Sequence, residues 1–194
     1  MVPPCSIAFA DRQRVLRVDR RRLARLARSV LTREKVRQAE ISVAIVDDAQ
    51  IHSLNREFLS HDFPTDVITF LLDGDAAPYD RATAPRPLEA AARLPGRKRK
   101  PEIVSPRAER RGAGKTIDGE IVISAETARR SAREYGTTPA AELALYLVHG
   151  LLHLCGYDDR TPQEKRLMRR REAEALREWT GPPPQRPSRL QRKK

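Results

Sequence analysis

Two histidines four residues apart, His149 and His153, carry the strongest chemical signal in this sequence of 194 residues. On a helix, positions i and i+4 project from one face a turn apart, so the two imidazoles could grip a single metal ion. Asp159 follows six residues after His153, beyond Gly156, and a chain that turns at the glycine could bring its carboxylate to the same ion. Two nitrogens and one carboxylate with a fourth position open is a catalytic zinc arrangement. Water held there by His149, His153 and Asp159 would ionise near neutral pH, and a polarised oxygen would gain charge stabilisation. The same spacing also suits two buried, hydrogen-bonded core histidines. The surroundings favour ligands: the chain has only four histidines, and the Asp158-Asp159 pair comes directly after a helix-breaking glycine.

Those side chains need a helix to carry them. Thr138 is a capping residue, Pro139 suits a first turn, and the apolar run to about Leu154 is stopped by Gly156. Downstream, Thr161-Pro162-Gln163-Glu164 is a capping box that opens a last helix to about Trp179. Upstream, Asp19 caps an amphipathic helix over residues 19 to 32, and Asp47 or Asp48 caps a second that stops before Pro64. A further helix over Glu126 to Tyr135 ends at Gly136. Ile41 to Val46, Asp66 to Leu72 and Gly119 to Ser124 read as strands, with Phe9 and Val15 to Val18 as an expected edge strand. Strands mixed with helices imply an α+β layered domain, a small mixed sheet covered by helices, over residues 1–180.

Charge is distributed unevenly. The net charge is +12, and residues 76–115 hold 11 Lys/Arg against 4 Asp/Glu, while 181–194 hold five Lys/Arg and no acid. The remainder balances at 22 against 22, so the excess lies in two Pro-rich segments. The first reads as a flexible basic insertion between strands, the second as a disordered basic tail. Such arms either bind phosphate through counterion release or serve as solubilising loops. No apolar run approaches the roughly 20 residues of a membrane span, and the first residues lack a leader pattern, so a cytoplasmic protein without a membrane partner is expected. Cys5 and Cys155 are too few for a disulfide framework and are expected to be reduced.

The segment His149-Gly150-Leu151-Leu152-His153-Leu154-Cys155-Gly156-Tyr157-Asp158-Asp159 resembles the signature of the YbeY family, H-G-x-L-H-L-x-G-Y-D-H, except at the last ligand. Leu54-Asn55 with Asp62-Phe63-Pro64-Thr65-Asp66-Val67-Ile68-Thr69-Phe70 is similar to a second family block, and Asp118-Gly119-Glu120-Ile121-Val122-Ile123-Ser124 to a third. The resemblance covers most of residues 40 to 180. It implies a zincin-like α+β domain, one zinc ion, and single-strand-specific endoribonuclease activity. In the family that activity serves maturation of the 3′ end of small-subunit (16S) ribosomal RNA and ribosome quality control, so ribosomal RNA and the small subunit are the implied partners.

Carried over, His149 and His153 are ligands, and Asp159 stands where the family has a third histidine. A carboxylate there makes the ion a weaker Lewis acid and raises the pKa of its water. The family also places an arginine where this chain has Leu59. Leucine cannot offer the charged planar fork that grips phosphate. Arg56, one turn earlier, or Arg160, beside the ligand loop, are the candidates to supply it, against an ordinary solvated role.

His52 and His61 read as surface or loop residues, Thr65 and Asp66 as a turn entering a strand, and Tyr157 as packing beside the ligand loop. Zinc proteases of the H-E-x-x-H type carry a glutamate base where this chain has Gly150, which disfavours a protease. A non-catalytic, zinc-containing factor that binds ribosomal RNA through its basic arms remains the second reading. The general base, the cleavage site and the oligomeric state are not legible in the residues.

Overall fold

The computed structural model describes residues 5–74, 111–177 and 179. Among them, four strands, β1 (Cys5–Asp11), β2 (Gln38–Val46), β3 (Val67–Gly74) and β4 (Thr116–Ser124), form one sheet in the order β1-β2-β4-β3. The first three neighbours run parallel and β3 is antiparallel to β4, with Val67 opposite Ile123 and Phe70 opposite Glu120. Five helices accompany it among the described residues: α1 (Arg20–Arg33), α2 (Asp48–Leu59), α3 (Ala125–Tyr135), α4 (Pro139–Leu154) and α5 (Pro162–Leu176). The α+β expectation therefore holds.

The sheet divides the core, because successive strand residues point to opposite faces. Ile41, Val43, Ile45, Ile117, Ile121 and Ile123 face the larger core, packed by α1, α3, α4 and α5. Ala44, Val46, Val122, Ile68 and Phe70 face the other side, where Ile51 and Leu54 of α2 cover them. The helix bearing both candidate ligands is thus the most buried, with Leu147, Leu151 and Leu152 fully enclosed.

Two glycines let α4 approach the sheet. A Cβ at Gly150 would sit 3.0 Å from Ile121 Cγ2 and 3.1 Å from Thr69 Oγ1, and one at Gly119 would sit 2.8 Å from both methyls of Leu154. Gly150 therefore faces the sheet and leaves no room for the glutamate of a zinc protease, a stronger objection than its inability to accept a proton.

The expected caps at Asp19, Thr138 and Thr161 accept backbone N–H groups as their residue types predict, and the box with Glu164 is complete. At α2, Asp47 is the cap, accepting from Gln50 N. Asp48 turns instead to α3, where Ser124, Thr127 and Arg130 all donate to its carboxylate. Burial opposes the charge, but these donors outweigh it and hold the Asp48 carboxyl below the usual range. The stability it contributes is present at neutral pH and is lost as pH falls below about 4 through the depressed pKa. Asp48→Asn should cost about 1 kcal/mol at pH 7, since Arg130 is largely solvated. That difference should shrink in urea unfolding at pH 3, and a constant difference would show that the charge contributes nothing.

The edge strand differs from expectation. It is Cys5–Asp11, which includes Phe9, whereas Val15 to Val18 form no strand. The Gln13 side chain accounts for this: its Oε1 accepts from Val15 N and Leu16 N, and its Nε2 donates to Leu16 O, so a local turn takes the groups a ladder would need. Of the expected insertion, residues 76–110 lie outside the described residues, as does the tail 181–194. Residues 111–115, placed in the insertion by composition, form a docked turn: Gly112 N donates to Cys155 O and Gly114 N to Lys35 O. Both cysteines are free, and burial pushes the Cys155 thiol up to about 12, so it stays protonated at neutral pH.

Candidate metal centre

His149 and His153 leave the last turns of α4 side by side. Their Nε2 atoms are 2.9 Å apart and their rings stand nearly perpendicular. The outward nitrogens are committed: His149 Nδ1 meets Glu172 Oε1 at 2.7 Å, and His153 Nδ1 meets the Tyr157 carbonyl oxygen at 2.9 Å. A backbone carbonyl can only accept, and so can an ionised carboxylate. Each Nδ1 therefore carries a proton, and the two Nε2 atoms face each other across the gap. Two lone pairs at this distance repel unless a proton or a cation lies between them.

A metal ion suits that gap. Two zinc–nitrogen bonds of about 2.0–2.1 Å at a tetrahedral angle set their nitrogens about 3.3 Å apart, a few tenths of an ångström wider than the pair stands. Glu172 and the Tyr157 carbonyl occupy the outer positions that fix tautomer and ring orientation in metal-binding histidines. Burial lowers the basicity of His149, but the hydrogen bond and charge of Glu172 outweigh it, so its pKa is raised. Burial and the neighbouring His149 lower that of His153.

Asp159 is not assembled with the pair. Its carboxylate is near enough to favour the charged form of both imidazoles. However, among the described residues no three His, Cys, Asp or Glu side chains come together closely enough to hold one ion. Asp158, the other acid, is engaged: Oδ1 accepts from Asp159 N and Oδ2 pairs with Arg160 Nε at 3.2 Å.

The loop that carries these acids is well anchored at its start. Gly156, at φ +96°, closes α4, with its N–H donating to His153 O and that of Tyr157 to Leu152 O. The Tyr157 hydroxyl donates to buried Glu34 at 2.8 Å, and Arg171 pairs with the same carboxylate. Tyr157 is therefore more than packing: its backbone orients His153 while its side chain ties the loop to α1.

Neither candidate arginine is brought to the imidazoles by a contact of its own. Arg56 is exposed on α2, and Arg160 is turned to Asp158. Leu59 packs with Phe58 against the smaller core. His52 meets Asp62 at 2.9 Å, and His61 stacks on Phe63. Asp66 caps the entry to β3, accepting from Val67 N as expected, and its charge also favours the protonated form of His149.

Sequence reasoning missed Glu172. The signal was present: Met168, Glu172, Ala175 and Leu176 are the buried positions of α5, so an acid stands on an apolar stripe. A carboxylate there needs a partner, and His149 is that partner.

The profile of the family described as Endoribonuclease YbeY matches residues 8–180 of this sequence. The chain belongs to the YbeY family. An Endoribonuclease YbeY of Rhodopirellula baltica is 36% identical over 176 residues, covering 90% of this chain and 69% of that protein. One of Chloroflexus aggregans is 38% identical over 159 residues, covering 81% of this chain and 85% of its own. The fold is similar to the solution structure of TM1509 from Thermotoga maritima, with a TM-score of 0.52 at 21% identity, over 96% of this chain and 99% of that one. Among the described residues no helix is long and apolar enough to cross a membrane.

Proposed function

We propose that this YbeY-family chain is a zinc-dependent, single-strand-specific endoribonuclease of the cytoplasm. It matures the 3′ end of 16S ribosomal RNA and acts in ribosome quality control on the small subunit. The observation that carries the metal is the facing pair of Nε2 atoms, each imidazole already oriented by an outer acceptor. Family membership supports RNA cleavage, and the ribosomal role follows the family's resemblance alone.

His149 and His153 would hold the ion from α4, with Asp159, on the loop after Gly156, as the third ligand. When bound, the ion supplies Lewis acidity and water ionised near neutral pH. The chain's own residues do the rest. Glu172 keeps the His149 proton on Nδ1, the Tyr157 carbonyl does the same for His153, and the core behind α4 closes one side of the site to water. The basic excess of residues 76–115 and 181–194 supplies charge for the RNA backbone.

A second reading, a zinc-containing factor that binds ribosomal RNA without cutting it, is favoured by one observation. Leu59 is spent on the core, and Arg160 is paired with Asp158, so no arginine is delivered by these contacts to a scissile phosphate. Stripping with a chelator followed by zinc return separates the readings. The proposal expects about one zinc per chain, with cleavage of single-stranded ribosomal RNA lost and regained with it. Zinc uptake without cleavage would leave the binding factor.

A further inference from the structure

Phe63 is the one large hydrophobic side chain exposed among the described residues, with half of its surface, 51%, open. An isolated exposed apolar residue is ordinary. This one is held in a built setting. Its ring lies nearly parallel to the His61 imidazole, with centroids 5.4 Å apart and planes 12° from parallel. The loop that presents the pair is clamped by Asn55, a side chain buried to 1% exposure on the apolar stripe of α2. Asn55 Nδ2 donates to Phe63 O at 2.7 Å, and Asn55 O accepts from His61 N at 3.2 Å. His52 meets Asp62 between them. The buried Asn55 side chain thus holds the Phe63 end of a three-residue segment, and the Asn55 backbone carbonyl holds the His61 end, which fixes where the exposed ring stands.

The segment stands beside the metal centre. Three residues after Phe63, the Asp66 carbonyl accepts from Ser124 N as the chain enters β3, and Thr69 Oγ1 of that strand lies 3.1 Å from where a Cβ on Gly150, the residue after His149, would stand. By contrast, the other phenylalanine of this region, Phe58, is turned inward against Phe70.

We propose that the Phe63–His61 pair is a stacking subsite for one unpaired base of a single-stranded RNA whose backbone crosses the metal centre. Every base has a π-face, so a rigid exposed aromatic accepts any of them, and only when the base is free of a duplex. The subsite accounts for single-strand preference without base-specific hydrogen bonds. It rests on the ribonuclease reading for its occupant. Stacking is largely independent of salt, unlike contacts of the basic arms with phosphate.

The test uses the full chain with zinc and a 2′-O-methyl oligoadenylate of about ten nucleotides, whose length is verified after each titration so that binding is read on intact strand. A strand of equal length with abasic sugars is its control. Phe63→Ala should bind the oligoadenylate about ten-fold more weakly, at zinc content and thermal midpoint equal to wild type. The same variant should bind the abasic strand unchanged. Phe63→Trp should retain affinity, and its added indole emission should be quenched by oligoadenylate and not by the abasic strand. Wild-type affinity of Phe63→Ala, or equal quenching by both strands, would overturn the subsite. Its failure is distinguishable from failure of the ribonuclease reading: stacking without cleavage of ordinary RNA sinks the latter, and cleavage with Phe63→Ala unaffected sinks the former.

Discussion

His153→Ala and His149→Ala should each lose bound zinc and RNA cleavage together, with zinc affinity down by more than about 100-fold, whereas Glu172→Ala should lose only about 10- to 100-fold. The grading follows from position. An imidazole removed from the pair leaves one nitrogen where two stood 2.9 Å apart. Removing Glu172 leaves both nitrogens in place but frees the His149 ring, whose Nδ1 then has no acceptor. Excess zinc should therefore rescue cleavage in Glu172→Ala and not in the histidine variants. Asp159→Ala is the informative member of the series. If its carboxylate closes on the ion, the variant behaves like a histidine replacement. Wild-type zinc affinity in Asp159→Ala would remove it from the ligand set. Asp159→His restores a neutral third ligand and should bind zinc at least as tightly as the parent, with a lower pKa in the pH–rate profile of cleavage.

What the sequence made legible and what it did not divides along the kind of signal each residue leaves. Periodicity and caps are local, so every expected helix start is met within a residue, as the capping box at Thr161 and Glu164 illustrates, and α1, α3 and α4 end where expected, whereas α2 stops at Leu59, short of Pro64, and α5 at Leu176, short of Trp179. The pairing of His149 with His153 is local too, because it needs only a helix. The edge-strand expectation holds at Phe9 and fails at Val15 to Val18, whose two valines look like strand residues until Gln13 is seen to take the backbone groups of Val15 and Leu16. The order β1-β2-β4-β3 could not be read at all, since it depends on which strands α4 and α1 can cover. The supporting acids and amides were hidden for a different reason. Glu172, Asn55 and Glu142 each sit on an apolar stripe of a helix, where a polar side chain is a demand for a partner, but the partner lies on another element. Asn55 finds Phe63 O, Glu142 finds the Thr137 hydroxyl, and Glu172 finds His149. The family motif pointed to His149, His153 and the Tyr157 loop, and the structure adds what steadies them.

Glu34→Ala should lower stability by about 3 kcal/mol and should also weaken zinc binding, although Glu34 touches neither histidine. Glu34 is buried at the end of α1 and accepts from the Tyr157 hydroxyl and from Arg171, which itself pairs with Glu174. Breaking a buried charged network by removing one partner costs about 3–5 kcal/mol; Arg171 is a quarter exposed and can recover some hydration, which places the loss at the lower end. The link to the metal runs through one residue. Tyr157 anchors its side chain on Glu34 and offers its carbonyl to His153, so releasing the hydroxyl frees the carbonyl that orients the ring. Burial and the Glu34 contact push the Tyr157 hydroxyl up to about 12, so it remains a donor and the tie is insensitive to pH across the neutral range. Tyr157→Phe removes that donor alone and should cost about 1 kcal/mol, with a smaller loss of zinc affinity. In a double-mutant cycle the two replacements should be less than additive, because each breaks the same contact. Strict additivity in both unfolding free energy and zinc affinity would mean that Glu34 supports α1 and α5 without steadying the ligand loop.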